Sequence, residues 1–293
     1  MKRSIRVLFL LILVLCGCHT VNRTFQPARE LRTQARQMAR PWWGEHFADE
    51  KKSFQFVIMA DRNGGRRPDI FEPTVHKIND LQPEFVISVG DYIQGYTESD
   101  SLLQLQWDDF FAAIAPLQMP FFCLPGNHDI SNVTMHRAWL DRFGVTYYHF
   151  IYKDVLFLCL NTEDPEAGKI SDEQVRYVEK TLAKNQQVDW TMVFLHKPLW
   201  QYEDPSGYSK IEALLHARPH TVIASHEHRY QKSIRQGINH YVIATTGGSS
   251  ALRGAEFGEI DHIVWVTMTS QGPRLANLGV EGIYGDDIKK HGL

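Results

Sequence analysis

The sequence predicts an α/β domain with substantially parallel sheets, and three observations support this prediction. Short β-branched and aromatic runs alternate with segments of helical hydrophobic period, as in layered α/β folds. The first apolar run, from residue 54 to 60, has the composition of a fully buried strand and ends abruptly in Asp61. The late run at 262–269 has no helix beside it, which indicates some antiparallel pairing near the end of the domain.

The predicted strands are the β-branched and aromatic runs at 54–60, 84–89, 121–124, 155–160, 190–195, 221–224, 241–246 and 262–269. The predicted helices are the amphipathic segments at 70–81, 101–117, 134–143, 171–184 and 208–217. Ser171 followed by Gln174 predicts a capping box at the start of the fourth helix.

Composition limits the classes of function. The chain has 293 residues, of which 43% are hydrophobic, enough for one sizeable core or two modest ones. A formal net charge of -3 argues against a large basic surface, so no nucleic-acid partner is expected. Cys123 and Cys159 lie in apolar runs and are expected to pack as small hydrophobic side chains. A disulfide between them is the alternative in an oxidising compartment.

The first seventeen residues have the features of a secretory signal. A basic start is followed by a nine-residue apolar run at 7–15, which is too short to cross a bilayer comfortably. The run ends in Leu-Cys-Gly-Cys, which resembles the lipobox of bacterial lipoproteins and makes Cys18 the candidate for lipidation. The alternative is a signal anchor with incidental cysteines. We expect a lipid-anchored protein in the bacterial cell envelope, facing the periplasm, and His19 slightly favours the outer membrane.

Four segments are predicted along the chain. A signal peptide at 1–17 is followed by a tether at 18–52, with one helical stretch and a Pro-Trp-Trp at 41–43 that docks on the domain. The main domain is expected at 53–272. The last segment, 273–293, is expected to be a tail that packs on the domain.

Polar side chains follow nearly every predicted strand. In order, the strand ends carry Asp61-Arg62-Asn63, Gly90-Asp91, Gly126-Asn127-His128-Asp129, Asn161-Thr162-Glu163-Asp164, His196-Lys197-Pro198 and His226-Glu227-His228. Ligands of open α/β sheets bind at the carboxyl ends of the strands. One such ending is usually a cap or a turn, but five endings rich in Asp, Asn and His indicate a divalent metal site for Mn, Fe or Zn. The absence of thiolates disfavours a structural zinc site.

This ordered set resembles the signature of the calcineurin-like metallophosphoesterases, over roughly residues 54 to 269. The Gly-Asn-His-Asp at 126–129 is the most specific single part of it. The resemblance implies a four-layer α/β/β/α sandwich that holds two divalent metal ions at the strand ends. It also implies hydrolysis of a phosphomonoester or phosphodiester by attack of a metal-bound hydroxide.

The resemblance also assigns roles to individual residues. The first metal would be held by Asp61, Asp91 and His228, and the second by Asp91, Asn127, His196 and His226, with Asp91 as the bridge. His128 would protonate the leaving group or stabilise charge on the phosphoryl group. Two roles are possible for Asp129, a carboxylate that orients a neighbouring residue or a carboxylate that stabilises a turn.

Two positions depart from the family pattern. Asn63 stands where the family has His, and Ser225 stands where it commonly has Gly. An amide is a poorer ligand than imidazole, so Asn63 is an additional but weaker candidate ligand, and the first metal is expected to be weak or exchangeable. This departure motivates an alternative function, a non-catalytic envelope protein that keeps the fold for binding or scaffolding.

Two arginines are candidates for binding substrate phosphate. Arg62 follows the first ligand, and Arg253 lies in the glycine-rich segment 247–254. A charged or flexible surface loop is the open alternative for each. An acyl hydrolase is poorly supported because the chain contains no Gly-x-Ser-x-Gly elbow. The patterns leave the substrate and the choice between monoester and diester open, and the expected partner is a small phosphoester.

Overall fold

The structure is a computed structural model that describes residues 53–203 and 207–288. In chain order its helices and strands are β1 (Phe54–Met59), α1 (Phe71–Leu81), β2 (Val86–Ser88), α2 (Asp100–Ile114), β3 (Phe121–Cys123), α3 (Asn127–Ile130), α4 (Val133–Phe143), β4 (Tyr148–Tyr152), β5 (Val155–Cys159), β6 (Glu163–Asp164), β7 (Lys169–Ile170), α5 (Asp172–Lys184), β8 (Trp190–Phe194), α6 (Tyr208–Leu215), β9 (His220–Ala224), β10 (Gln231–Arg235), β11 (Ile238–Val242), β12 (His262–Thr269), β13 (Gly272–Gly279) and β14 (Ile283–Gly285).

Two six-stranded sheets organise these elements. The first has the order β14-β13-β12-β1-β2-β3, and the second has the order β10-β11-β9-β8-β5-β4. Strands β1, β2 and β3 are parallel, whereas β12, β13 and β14 pair antiparallel at the other end of the first sheet. In the second sheet β5, β8, β9 and β11 are parallel neighbours, and the edge strands β4 and β10 are antiparallel. The predicted mixture of mainly parallel strands with late antiparallel pairing is confirmed.

Three apolar clusters separate four layers. The central cluster joins alternate residues of the two sheets, such as Phe56 of β1 and Phe157 of β5. A second cluster packs the other face of β1, with Val57, against α1, α2 and α4. A third packs Leu158 and its neighbours against α5 and α6. Because side chains of a strand alternate between faces, each sheet supplies two of these interfaces. The predicted four-layer α/β/β/α sandwich is confirmed.

The start of α5 corrects one detail of the predicted capping box. The Ser171 hydroxyl accepts a hydrogen bond from the backbone N–H of Gln174 at 3.2 Å, as predicted. The Gln174 side chain, however, bonds the backbone of Asn161 through both its oxygen and its nitrogen, at 2.8 and 3.0 Å. The reciprocal half of the box is therefore replaced by a contact that ties α5 to the end of β5.

The expected tail from residue 273 is wrong as far as Gly285. Residues 272–279 form β13, which pairs with β12 along its whole length, and β14 pairs with β13. Leu275 and Ile288 are buried in the central cluster. The predicted boundary after residue 272 therefore falls at the start of β13, which continues the antiparallel part of the sheet.

The strand predicted at 241–246 is displaced, because β11 ends at Val242. Beyond it the chain leaves the second sheet and bonds the end of β1, with the N–H of Thr246 donating to the Ala60 carbonyl at 2.7 Å and that of Gly248 donating to the Asp61 carbonyl at 2.8 Å. This crossing brings the segment after β11 to the edge where the candidate ligands lie.

Cys123 and Cys159 are both free thiols, and Cys159 packs in the central cluster as a small apolar side chain. The predicted signal peptide, Cys18, the tether and its tryptophans lie outside the described residues. Among the residues that the structure describes, no helix is long and apolar enough to cross a membrane.

Candidate metal centre

The strand ends place the candidate ligands at one edge of the two sheets. Asp61 follows β1, Asp91 follows β2, His196 follows β8, and both His226 and His228 follow β9, while Asn127 begins α3. The aspartates and the last two histidines adopt left-handed backbone conformations, with φ of 41° and 62°, and of 74° and 48°. Such conformations are uncommon for residues other than glycine and concentrate at functional sites.

Four donor atoms converge at the second predicted metal position. The Nε2 atom of His196 lies 3.0 Å from Oδ1 of Asn127, 3.2 Å from Oδ2 of Asp91 and 3.2 Å from Nδ1 of His226. Carboxylate, amide and imidazole lone pairs that meet in this way repel one another unless a proton or a cation lies between them. The donor set therefore fits a divalent metal ion.

The orientation of His196 is set from behind the site. Its Nδ1–H donates to the Val89 carbonyl at 2.8 Å, which leaves the Nε2 lone pair directed at the other ligands. Ser225 is fully buried, and its hydroxyl donates to the same carbonyl at 3.1 Å. The serine that departs from the family pattern is thus part of the support for this histidine.

The first predicted position is built from Asp61, Asp91 and His228, whose ligand atoms lie within 4.8 Å of one another. The Nδ1–H of His228 donates to the Ser249 carbonyl at 2.6 Å, so its Nε2 points towards Asp61 Oδ1 at 3.4 Å. That Oδ1 atom is buried and has no hydrogen-bond partner among the described residues. An orphaned buried carboxylate oxygen is costly without a cation, so these residues also fit a metal ion.

Asp91 belongs to both groups, since a second set of ligand atoms within the same 4.8 Å limit is formed by Asp91, His196 and His226. The sequence-predicted ligands are therefore brought together in the two predicted groups, with the predicted shared carboxylate.

Neighbouring side chains at this position differ in charge. Burial lowers the pKa of His196, but the nearby Asp91 and Asp61 outweigh it and raise the pKa to about 10. Burial lowers the pKa of His226 to about 3, with a further contribution from the His196 cation. Burial would raise the pKa of Asp91, but His196 outweighs it and holds that pKa well below its usual range. A proton on His196 thus occupies the place of positive charge that a metal ion would take.

His128 lies beside this cluster without belonging to either group. Its Nδ1 contacts the Gln94 carbonyl at 2.7 Å, and among the described residues its Nε2 has no hydrogen-bond partner, as proton transfer to a substrate requires. A Cβ atom on Gly64 would lie 3.4 Å from Nε2 of His128 and 2.9 Å from Cε1 of His228. Gly64, with φ of 74°, therefore lets both rings approach the same point above the metal positions.

The family assignment comes from the sequence. A family model described as calcineurin-like phosphoesterase matches residues 46–230, more than half of the chain. The chain belongs to the calcineurin-like phosphoesterase family. The resemblance that the motifs predicted is thereby confirmed.

Curated relatives of this family member include tartrate-resistant acid phosphatase type 5. The mouse protein is 26% identical over 153 residues, which cover 42% of this chain and 46% of that protein. The human protein is 26% identical over 150 residues, covering 41% and 46%. The chain spans about half the length of the curated relatives that it matches.

Solved structures share the fold at low sequence identity. A purple acid phosphatase, PPD1 from yellow lupin (Lupinus luteus) seeds, has a TM-score of 0.62 and 17% identity over 80% of this chain and 53% of its own. A dimetal phosphatase from Danio rerio has a TM-score of 0.58 and 12% identity, covering 79% of this chain and 98% of its own. These likenesses support the fold.

Asp129 has the contacts of both its predicted roles, an orienting carboxylate and a turn carboxylate. Its carboxylate accepts hydrogen bonds from the backbone N–H groups of Asp91 at 2.7 Å, Gly126 at 2.8 Å and Tyr92 at 2.9 Å. It is fully buried. The residue therefore joins the loop that carries Asp91 to the turn that carries Asn127. Burial, followed by the neighbouring Asp91, raises the pKa of its carboxyl to about 8, and the three N–H donors only partly offset this rise.

Asn63 has a structural contact that the sequence did not reveal. Its amide nitrogen donates to the Tyr92 carbonyl, and its backbone N–H donates to the Asp91 carbonyl at 3.0 Å. Asn63 thus holds the loop that carries the shared ligand. Its role as a ligand through the amide oxygen stays a prediction.

The prediction that Arg62 binds substrate phosphate is wrong. The side chain is only 2% exposed, and its guanidinium bonds Glu72 at 3.1 Å and Asp109 at 2.7 Å. It also lies over the Phe71 ring, 5.1 Å from the centroid. After the end of β1 the chain turns, and the Arg62 side chain lies beneath α1 and α2. Arg62 therefore supports the first sheet instead of facing a ligand.

Arg253 forms a salt bridge with Glu259 and lies over the Phe257 ring at 4.5 Å. Its guanidinium is therefore already held by its own loop, and binding of substrate by Arg253 stays a prediction.

Sequence reasoning missed the groups that hold the ligands in place. The Val89 and Ser249 carbonyls fix the two histidines described above, and Tyr96 accepts a hydrogen bond from the amide of Asn127 at 2.8 Å. Carbonyl groups leave no trace in a motif. Tyr96 does lie five residues after Asp91, but only the folded loop shows which side chain it contacts.

Proposed function

We propose that this protein is a metal-dependent phosphoesterase that hydrolyses a phosphomonoester or a phosphodiester. The observation that carries the proposal is the sharing of Asp91 between two groups of ligand atoms, with His128 beside them. The backbone N–H of His128 donates to Asp91 Oδ1 at 3.0 Å, which fixes the position of the acid relative to the shared carboxylate. Family membership and the acid phosphatase relatives support a hydrolase of this kind.

Two divalent ions bound by these residues would supply Lewis-acid activation of water and of the phosphoryl group. The chain itself provides the remaining functions. Asp61, Asp91 and His228 would hold one ion, while Asn127, His196 and His226 would hold the other together with Asp91. His128 would deliver a proton from Nε2 to the leaving oxygen, because its Nδ1 is already bound to the Gln94 carbonyl.

Activity assays test the proposal directly. Purified protein incubated with Mn²⁺ is expected to release nitrophenol from p-nitrophenyl phosphate or from bis-p-nitrophenyl phosphate. His196→Ala and Asn127→Ala are expected to abolish release. His149→Ala is the matched control, since His149 lies on the edge strand β4 and forms a hydrogen bond with Tyr177 instead of with a site residue. No turnover with Mn²⁺, Fe²⁺ or Zn²⁺ over a broad panel of phosphoesters would count against a phosphoesterase.

The alternative is a non-catalytic protein that uses the same fold for binding. It predicts zero or one loosely held metal ion and no turnover. The complete donor set around His196, together with a free Nε2 on His128, favours the enzyme, because a binding protein needs no acid for a leaving group. Metal content and activity measured on the same preparation distinguish the two.

We also propose that the mature protein is lipid-anchored at Cys18 in the bacterial cell envelope. The support is the basic start, the short apolar run and the Leu-Cys-Gly-Cys sequence. Cys18→Ser is expected to abolish incorporation of labelled fatty acid and to release the protein from the membrane fraction. Labelling that persists in this variant would contradict the assignment.

A further inference from the structure

The turn Gln94–Gly95–Tyr96 contacts both residues that follow Gly126. The Gln94 carbonyl lies 2.7 Å from Nδ1 of His128. The Tyr96 hydroxyl accepts a hydrogen bond from Nδ2 of Asn127 at 2.8 Å. One short turn after the loop of Asp91 thus contacts a candidate metal ligand and the candidate acid at the same time.

The turn is held firmly against α3. Gly95 has φ of 63°, and a Cβ atom at this position would lie 1.8 Å from the His128 carbonyl oxygen, so only glycine permits this approach. The backbone N–H of Gly95 donates to Oε1 of Gln106 on α2 at 2.8 Å. On the other side, the Thr97 carbonyl accepts from Asn132, the N-cap of α4, at 3.2 Å.

The hydrogen bond from Asn127 to Tyr96 holds the Asn127 amide in place beside the metal position. An asparagine side chain offers a carbonyl oxygen on one side and an amino group on the other, and only the oxygen can bind a cation. In this arrangement the amino group donates to the Tyr96 hydroxyl, and the oxygen on the other side faces Nε2 of His196 at 3.0 Å. A flipped amide would present two N–H donors to the cation instead.

The ring of Tyr96 has a second contact. It meets the His128 ring edge to face, with centroids 4.8 Å apart and planes at 85°. Aromatic pairs of this geometry hold a ring in a preferred orientation. Tyr96 is itself 59% exposed and adopts a left-handed backbone conformation with φ of 50°, so the core does not require it there.

We propose that Tyr96 is a positioning residue of the metal centre. Its hydroxyl keeps the Asn127 oxygen turned to the second metal ion, and its ring keeps His128 aligned with the leaving oxygen. The second half of this proposal rests on the proposed phosphoesterase function, whereas the first half requires only that the site binds metal.

The first half is tested by metal affinity. Tyr96→Phe keeps the ring and removes the hydroxyl, and it is expected to weaken binding of the second Mn²⁺ by about 10-fold or more, as is typical for a residue that orients a ligand. Tyr152→Phe is the matched control, because its exposed hydroxyl bonds Glu84 before β2, at the opposite end of the strands. The affinity is measured by titration calorimetry on metal-stripped protein, with the thermal midpoint of each variant recorded.

Equal affinity in Tyr96→Phe and wild-type protein would overturn the first half. An equal loss in the Tyr152→Phe control would also overturn it, because the effect would then be general. A loss of affinity confined to Tyr96→Phe, with the thermal midpoint of the metal-stripped variant unchanged, supports it, because a general structural defect would lower that midpoint.

The second half is tested by dependence on the leaving group. Tyr96→Ala removes the ring as well, so kcat is expected to fall further for phenyl phosphate, which needs protonation of its leaving oxygen, than for p-nitrophenyl phosphate. Tyr96→Phe is expected to keep the wild-type ratio of the two rates. An unchanged ratio in Tyr96→Ala would overturn this half. If the wild-type protein hydrolyses neither ester, the proposed function and this half fail together, while the affinity measurement still decides the first half.

Discussion

Replacing Arg62 by methionine separates a structural role from substrate binding. Methionine keeps much of the length and apolar surface of the side chain but removes the guanidinium. The structure shows that this guanidinium bonds Glu72 and Asp109 and donates to the Tyr92 carbonyl at 3.3 Å. We therefore expect Arg62→Met to lower stability and to leave the KM of a phosphoester unchanged.

The expected loss is intermediate in size. Removing one partner of a fully buried ion pair costs about 3–5 kcal/mol. Here the two carboxylates are 38% and 55% exposed, and Arg66 bonds both of them at 2.6 and 2.8 Å. Neither carboxylate is left buried and unpaired, so we expect a loss of about 2 kcal/mol, mainly from two charge-assisted hydrogen bonds partly offset by the relieved desolvation of Arg62. For a domain of this size that corresponds to a fall in Tm of roughly 4–8 °C.

Thermal unfolding monitored by circular dichroism measures the loss, and initial rates over a range of substrate concentrations give KM. Arg66→Met is the matched control, since Arg66 bonds the same two carboxylates but is 32% exposed, and its removal is expected to cost under about 1 kcal/mol. An unchanged Tm together with a raised KM in Arg62→Met would refute the structural interpretation and restore Arg62 as a substrate ligand.

Three further outcomes are expected. Because the pKa of His196 is raised to about 10, its proton must leave when the second metal binds at pH 7–8. Calorimetry in buffers of different ionisation enthalpy should therefore show release of one proton, and metal affinity should rise with pH. A metal affinity that is independent of pH in this range would contradict the assignment. Gly126→Ala is expected to fold but to lose metal, because the new Cβ would lie 2.2 Å from Oδ1 of Asp91. Full metal content in this variant would contradict this expectation and show that the loop can adjust. Burial raises the pKa of the Cys159 thiol to about 12. This thiol should therefore not react with a thiol reagent at pH 8 until the protein unfolds. Rapid reaction in the native protein would show that the central cluster opens readily.

The sequence predicted which side chains meet at this edge because they share a local rule. Each of Asp61, Asp91, His196, His226 and His228 directly follows an apolar run or lies within four residues of its end, and parallel strands bring such ends to one edge. The pattern therefore predicts both the site and its place in the fold without any knowledge of long-range contacts.

The direction in which a side chain points beyond a strand end could not be predicted from the local pattern. Arg62 turns inward because Asp61 has φ of 41° and because the Arg62 guanidinium bonds Asp109 on α2, which lies 47 residues further along the chain. Neither fact is encoded in the local pattern. The same limit applies to Asn63, whose partner is the Tyr92 carbonyl, and to Tyr96, whose partner lies on α3.

The missed strands have another physical reason. Strand β13 alternates buried and more exposed residues and contains a fully buried Asn277, whose amide donates to the Gly285 carbonyl at 2.9 Å. A polar residue in an apolar run weakens the strand signal, although in the folded chain its amide group joins β13 to β14. The predicted tail was therefore a part of the sheet that could be recognised only from its partners.

Metal content per chain tests the central claim, a two-metal centre that shares Asp91, most directly. Equilibrium dialysis against saturating Mn²⁺, followed by elemental analysis of both compartments, is expected to give two ions in the wild-type protein. One ion is expected in Asp61→Ala, one in His196→Ala and none firmly held in Asp91→Ala, because that carboxylate serves both positions. A wild-type protein without bound metal, or an Asp91→Ala variant that keeps as much metal as Asp61→Ala and His196→Ala, would contradict the claim.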